Sequence, residues 1–192
     1  MATTHLIAGL PCSGKTTYAA GVRADIDSSL FSLDRWLITS FGRYSIAEIG
    51  HEEHVRRVLA CRALIWDAAS ELLRRDVDVI LDDGFFLREN RMRVIELSRG
   101  LGATAKIHFL DTPLSVLRAR LEARNANLPP YNFWLAPDML QAFVGLFEAP
   151  SDDEGAEVVV VRDFDFTRPI LRRALPRGFL PPASGSPRTS SR

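Results

Sequence analysis

Gly9-Leu10-Pro11-Cys12-Ser13-Gly14-Lys15-Thr16 is the stretch of sequence that decides the fold. It fits the pattern G-x-x-x-x-G-K-[ST] of a phosphate-binding loop at every specified position. Glycines let the backbone turn so tightly that successive N–H groups point at phosphate oxygens. Lys15 supplies a positive charge for the β- and γ-phosphates, and the Thr16 hydroxyl can bind Mg²⁺. The stretch therefore predicts a site for a nucleoside triphosphate with magnesium.

The residues around this loop predict a strand before it and a helix after it. The run 5–8 is short and mostly apolar, as in a buried strand, and 17–22 continues as a helix whose N-terminal dipole favours anions. Cys12 occupies an unspecified position and is predicted to be a small filler rather than a nucleophile. We expect the nucleotide to be bound by Gly9, Pro11, Cys12, Ser13, Gly14, Lys15, Thr16 and Thr17.

Length and charge set broad limits on the function. The chain has 192 residues, with 24 basic and 24 acidic side chains, so its formal net charge is zero. Neutrality disfavours a large nucleic-acid footprint. No apolar run approaches the ~18 residues of a membrane helix, and the first strand follows the N-terminus without a secretory signal, so we expect a cytoplasmic location. Two cysteines are too few for a disulfide framework.

The remaining sequence alternates between predicted strands and helices, which is typical of a parallel α/β sheet. We expect one domain over residues 1–180 and a disordered, low-complexity tail over 181–192. The predicted strands cover 5–8, 29–33, 77–81, 106–110 and 157–161. The predicted helices cover 17–22, 51–75, 88–99, a segment beginning at 111–113, 137–147 and 168–174, with a loop at 125–130.

Acidic residues follow several of these strands, at the edge where open α/β sheets bind ligands. Asp82 ends the run Val79-Ile80-Leu81-Asp82 and is predicted to hold magnesium, with Asp83 as the alternative. Asp34 follows the second strand and is the candidate general base. For Asp34 and Asp82 a helix-capping or turn role is the competing interpretation, and for Asp111 a cap is the favoured one.

Arginines supply the remaining candidate groups, because their planar fork suits phosphate oxygens. Arg120 and Arg124 are four apart, hence neighbours on one helix face, and we expect them in a lid with the loop that follows. Arg88, at the start of the 88–99 helix, is a candidate for binding the acceptor, although exposed arginines are common. His51 and His54 are interpreted as an exposed helical pair rather than a metal site, since no third ligand is evident.

The whole pattern resembles the small P-loop kinases labelled AAA-type ATP-binding proteins, relatives of polynucleotide 5′-kinase domains, chloramphenicol phosphotransferase and zeta toxins. The resemblance covers the chain to about residue 173 and is carried by segments 9–17, 32–36, 79–85 and 117–125. It implies a three-layer P-loop NTPase fold of nucleoside-kinase type with a five-stranded parallel sheet in the order 2-3-1-4-5. It also implies that Asp34 is the base and that Arg120 and Arg124 contact nucleotide phosphates. Asp83-Gly84-Phe85 replaces the Thr-Asn of polynucleotide kinases, which puts nucleic-acid ends in doubt as the acceptor.

These observations predict an ATP-dependent phosphotransferase that uses ATP and Mg²⁺ and acts on a hydroxyl of a small molecule. Lys15 and Arg124 are expected to neutralise phosphate charge. Two alternatives stay open: a polynucleotide or nucleotide-sugar kinase, and an ATP-binding regulatory module with little turnover. A GTPase is disfavoured because no Asn-Lys-x-Asp motif is present. The residue types do not name the acceptor.

Overall fold

A computed structural model describes residues 1–162, which alternate between strands and helices as the sequence predicts. The strands are β1 (Thr3–Ala8), β2 (Ser28–Ser32), β3 (Asp78–Gly84), β4 (Thr104–Leu110) and β5 (Glu157–Val161). The helices are α1 (Lys15–Asp25), α2 (Leu33–Phe41), α3 (Ile46–Ile49), α4 (His51–Leu73), α5 (Arg88–Gly100), α6 (Leu114–Ala126) and α7 (Pro137–Leu146), with a 3₁₀ turn at Asp152–Glu154.

The five strands form one parallel sheet in the order β2-β3-β1-β4-β5, which confirms the predicted topology. In the hydrogen-bonding register Asp82 lies opposite Ile7 on one side and Ser32 on the other. The C-terminal ends of β1, β2 and β3 therefore lie side by side. This register brings the phosphate-binding loop, the start of α2 and Asp82 to the same edge of the sheet.

Helices cover both faces of the sheet, giving the three-layer arrangement. Ala19 of α1 packs with Ile7, Ile80 and Leu110 on one face. Alternate strand residues face the opposite way and pack under α4 and α5. The buried residues of that larger core include Leu6, Val79, Leu81, Ile107, Cys61, Ile65, Ala69 and Ile95.

Helices α6 and α7 form a smaller core that reaches the phosphate-binding loop. Leu117 and Leu121 of α6 are buried against Leu140 of α7, and Leu10 and Cys12 of the loop pack against them. The half-buried thiol of Cys12 thus fills space between the loop and α6. This contact fixes the helix that carries Arg120 and Arg124 next to the loop.

Some predicted boundaries differ from the structure. Helix α2 was not predicted, β3 continues beyond Asp82 to Gly84, and α6 continues through Ala126 into the predicted loop. The prediction that Asp111 caps α6 is wrong: the helix has no side-chain cap, and the Asp111 carboxylate accepts a hydrogen bond from Arg162. The predicted helix at 168–174 and tail at 181–192 lie outside the described residues.

None of the helices within residues 1–162 combines the length and the apolar character needed to cross a membrane.

Candidate functional site

The loop between β1 and α1 has the backbone conformation that its glycines permit. Gly9 has φ +149°, and a Cβ there would lie 3.1 Å from the carbonyl oxygen of Leu110, closer than most side chains tolerate. Gly14 is the N-cap residue of α1 and has φ +94°. No side chain caps the N-terminus of this helix. The N–H of Gly9 donates to the carbonyl of Gly84 at 3.0 Å. The loop is therefore tied to the end of β3 and leaves the α1 N-terminus open to an anion.

Two cations from different helices contact this loop. The Lys15 ammonium donates to the carbonyl of Leu10 at 2.7 Å. Burial lowers its pKa, while the charges of Asp82 and Asp34 oppose that shift. Arg120 donates to the carbonyl of Ser13 at 3.3 Å, so α6 places a guanidinium directly on the loop. Both cations lie where phosphate oxygens bound by the loop would carry negative charge.

Asp82 and Asp83 take different partners because successive strand residues face opposite sides of the sheet. The Thr16 hydroxyl donates to Asp82 at 2.8 Å, on the side that faces α1. Asp83 faces α4, where Arg62 donates to both of its oxygens at 2.7 Å. The carboxylate of Asp83 is thus held by a bidentate ion pair, and Asp82 is the one that lies at the phosphate-binding loop.

The surroundings of Asp82 fit a hydrated magnesium ion. Burial raises the pKa of this carboxyl, and Lys15 with hydrogen bonds from Thr16 and Ser32 counteracts the rise. A carboxylate next to a threonine hydroxyl supplies the hard oxygen donors that Mg²⁺ prefers. Within residues 1–162 no group of three acidic, histidine or cysteine side chains forms a metal cage. Mg²⁺ at nucleotide sites keeps several waters and binds phosphates, so it takes few ligands from the protein.

Asp34 lies in the first turn of α2, near enough to the phosphate-binding loop for the charge of Lys15 to act on it. Ser32, not Asp34, is the N-cap residue of this helix, so the capping interpretation of Asp34 is wrong. Protein packed around the carboxylate raises its pKa to about 6, and the negative charge of Asp82 adds to the rise. Lys15 and Arg124 act in the opposite direction. A solvent-accessible carboxylate with this pKa is suited to accept a proton near neutral pH.

Arg124 links the phosphate-binding loop to the segment 127–136 that follows α6. One of its terminal nitrogens donates to the carbonyl of Phe133 at 3.4 Å, and its buried Nε has no partner among the described residues. Its charge influences both Lys15 and Asp34. The buried hydroxyl of Ser13 also has no partner within residues 1–162. These two unsatisfied polar groups indicate that the loop and α6 are shaped for a polar ligand.

The other predicted candidates have structural partners. Arg88, the predicted acceptor-binding residue, donates to Ser151 and Asp153 at 2.7 and 2.8 Å. We therefore leave Arg88 out of the proposed acceptor site. His51 is exposed, but His54 is half-buried with its Nδ1 3.3 Å from the hydroxyl of Tyr44, so the interpretation of an exposed pair is wrong for His54.

Sequence reasoning did not identify Tyr44 or Arg62 as neighbours of the acidic residues Asp34 and Asp83. Arg62 belongs to α4 and lies 21 positions from Asp83, so no local pattern joins them. Tyr44 lies between α2 and α3, and its only sequence signal is an aromatic residue beside an arginine. Both come to the site through the packing of α2 and α4 against β3.

The loop, the sheet order and the helices on both faces define the three-layer P-loop fold of nucleoside-kinase type. A model of the AAA domain family matches residues 5–132, more than half of the chain. The chain therefore belongs to this family, which confirms the resemblance described from the sequence. A search of curated proteins finds no match.

Several solved structures share the fold. A proposed kinase from Chloroflexus aurantiacus has a TM-score of 0.67 at 16% identity, over 86% of this chain and 92% of that one. Kti12 from Chaetomium thermophilum, in complex with ADP-AlF3, has a TM-score of 0.60 at 15% identity, over 83% and 88%. A sugar kinase from Janibacter sp. has a TM-score of 0.50 at 16% identity, over 88% of both chains. At these identities the likeness concerns the fold.

Proposed function

We propose that this protein is an ATP-dependent phosphotransferase that moves the γ-phosphoryl group of ATP to a hydroxyl of an acceptor. One observation carries the proposal: Asp34, a carboxylate with its pKa raised to about 6, lies near enough to Lys15 and Arg124 for their positive charges to act on it. A loop that only binds nucleotide needs the cations but not a base beside them. Phosphoryl transfer needs both.

The donor side of the reaction follows from the loop. Backbone N–H groups at the start of α1 bind the phosphates, and Lys15 exchanges the Leu10 carbonyl for phosphate oxygens. Arg120 and Arg124 are positioned to stabilise the charge that spreads over the transferring group. Thr16 and Asp82 would hold magnesium, which supplies charge neutralisation at the β- and γ-phosphates.

On the acceptor side, Asp34 acts as the general base. The acceptor oxygen forms a bond to the γ-phosphorus while the bond from that phosphorus to the β–γ bridging oxygen breaks. The hydroxyl proton passes to the Asp34 carboxylate, and ADP leaves with the bridging oxygen. Because the pKa of Asp34 is about 6, the carboxylate is mostly ionised at pH 7 and still basic enough to accept the proton.

A measurement of ADP release over a panel of acceptors tests this proposal. The panel contains sugars, antibiotics, nucleosides and the 5′ ends of RNA and DNA, and Lys15→Ala provides the blank. We expect acceptor-dependent ADP release that Asp34→Asn lowers by about 10²-fold or more, with ADP binding retained. Asp67→Asn, an exposed change on α4, is the matched control. Acceptor turnover that Asp34→Asn leaves unchanged would refute the role of the base.

The same panel separates the alternatives. ADP release only when RNA or DNA 5′ ends are the acceptor would identify a polynucleotide kinase. ADP release with nucleotide sugars would identify a nucleotide-sugar kinase. Tight ADP binding together with no formation of ADP from ATP in the presence of any acceptor would favour an ATP-binding regulatory module. The likeness to Kti12, which was crystallised with ADP-AlF3, fits nucleotide binding by a kinase and by a regulatory module alike.

A further inference from the structure

A second set of arginines lies around Tyr44 and the segment that follows α6. Tyr44 marks the location: its ring centroid lies 5.0 Å from that of Phe133, and its hydroxyl is 3.3 Å from Nδ1 of His54. Burial raises the pKa of the Tyr44 hydroxyl, and the negative charge of Asp34 adds to the rise. Tyr44 therefore connects the proposed base, α4 and the segment after α6.

Arg57 of α4 is held beside Tyr44 in a fixed orientation. The central carbon of its guanidinium lies 4.8 Å from the ring centroids of both Phe41 and Tyr44, and its side chain is only 19% exposed. Its one carboxylate partner within the described residues, Glu53, is shared with Arg56. Two guanidiniums thus share a single negative charge, and the pair of rings keeps Arg57 in place at little further entropic cost.

Arg35 and Arg43 both contact the segment after α6. The guanidinium of Arg35 lies 5.1 Å from the ring centroid of Tyr131, and Arg43 donates to the carbonyl of Pro129 at 2.8 Å. Neither side chain has a carboxylate partner among residues 1–162. We call Arg35, Arg43 and Arg57 the acceptor-side arginines. Among residues 1–162 these three guanidiniums have one carboxylate partner, Glu53, although acidic and basic side chains are equal in number in the chain as a whole.

From this placement we infer that the acceptor is an anion: an alcohol with a phosphate, sulfate or carboxylate group that the acceptor-side arginines bind while its hydroxyl reaches Asp34. The inference rests on the proposed function and names its substrate class. Guanidinium groups oriented by aromatic rings and a carbonyl retain N–H donors for an oxyanion. A cationic acceptor would meet like charge at every one of these side chains.

Matched pairs of acceptors test the substrate class by turnover. ADP release is measured with ribose against ribose 5-phosphate and with glycerol against glycerate. For any pair that is turned over, we expect kcat/KM to be at least about tenfold higher for the anion, which is the scale of one charged hydrogen bond. Equal or better turnover of the neutral member overturns the inference while leaving phosphotransfer intact. Comparison of phosphate with carboxylate acceptors identifies the oxyanion.

A binding measurement decides the inference even if no pair is turned over, an outcome that counts against phosphotransfer itself. The protein is loaded with ADP and Mg²⁺ so that the phosphate-binding loop is occupied, and ribose 5-phosphate, sulfate and glycerate are titrated by calorimetry. We expect at least one anion to bind, with affinity reduced about tenfold or more by Arg35→Gln or Arg57→Gln. Arg74→Gln, at a side chain 52% exposed at the C-terminal end of α4, is the matched control.

Two results of this titration overturn the inference. One is the absence of anion binding to the loaded protein, and the other is a loss of binding that is equal in the Arg74→Gln control. Arg57→Lys, which keeps the charge but loses the planar fork, should bind more weakly than wild type and more tightly than Arg57→Gln. Circular dichroism of each variant shows whether the fold is retained.

Discussion

Replacement of Asp34 by asparagine should stabilise the protein at alkaline pH while lowering the rate of phosphoryl transfer by about 10²-fold or more. The folded state raises the pKa of this carboxyl from 3.8 to about 6, so it disfavours the ionised form. At about 1.4 kcal/mol for each tenfold change in proton affinity, the full penalty is about 3 kcal/mol. Because the side chain is exposed, solvent screening reduces our expectation to about 1 kcal/mol.

The sign of the pH dependence follows from the same shift. The folded state binds the proton more tightly than the unfolded state, so the penalty is fully present above pH 6 and disappears as pH falls below about 4. Urea unfolding of wild type and Asp34→Asn at pH 8 and pH 4 measures this difference. We expect the variant to be more stable at pH 8 and equal at pH 4. A variant that is less stable at pH 8, or a difference independent of pH, would refute the reasoning.

Three further predictions concern residues around the site. Glu154→Gln should cost about 3–5 kcal/mol in urea unfolding, because it leaves the fully buried guanidinium of Arg91 without its ion pair; Asp153→Asn, in an exposed pair, should change stability little. His108 is buried with its pKa lowered to about 4, so the unfolded state takes up its proton first. Stability should therefore fall by up to about 3 kcal/mol between pH 6.5 and 4, and His108→Gln should reduce that fall in urea unfolding. Gly9→Ala should destabilise the protein by about 1–3 kcal/mol and weaken ADP binding in a calorimetric titration, because φ is +149° and the new Cβ meets Leu110.

Most of the strands could be predicted because they are short, mostly apolar runs bounded by glycine or polar residues. The predicted and observed strands agree within a few residues, and β5 agrees at both ends. Helix α2 could not be predicted in this way. It begins directly after β2 without a side-chain cap, and Thr39 and Ser40 have weak helical preference. Its formation depends on burying Leu33 and Leu37 against the core, which only the assembled sheet provides.

The candidate site divides in the same manner. The neighbourhood of Thr16 and Asp82 follows from a local motif and the end of a strand, and the structure joins them by a hydrogen bond. The partners of Asp83 and Arg88 could not be predicted, because they lie 21 or more positions away in the sequence. The sequence pattern also does not show that Arg57 and Tyr44 meet. Such pairings are products of tertiary packing.

The alternation of side chains along β3 also decides how tolerant this site is to insertions and deletions. Asp82 and Asp83 are chemically identical neighbours, and only their odd or even position in the strand gives one to Thr16 and the other to Arg62. Deletion of Ile80 would exchange the roles of Asp82 and Asp83 without changing the residue types at the site. A change in the length of β3 would therefore alter the site even if every residue type in it were kept.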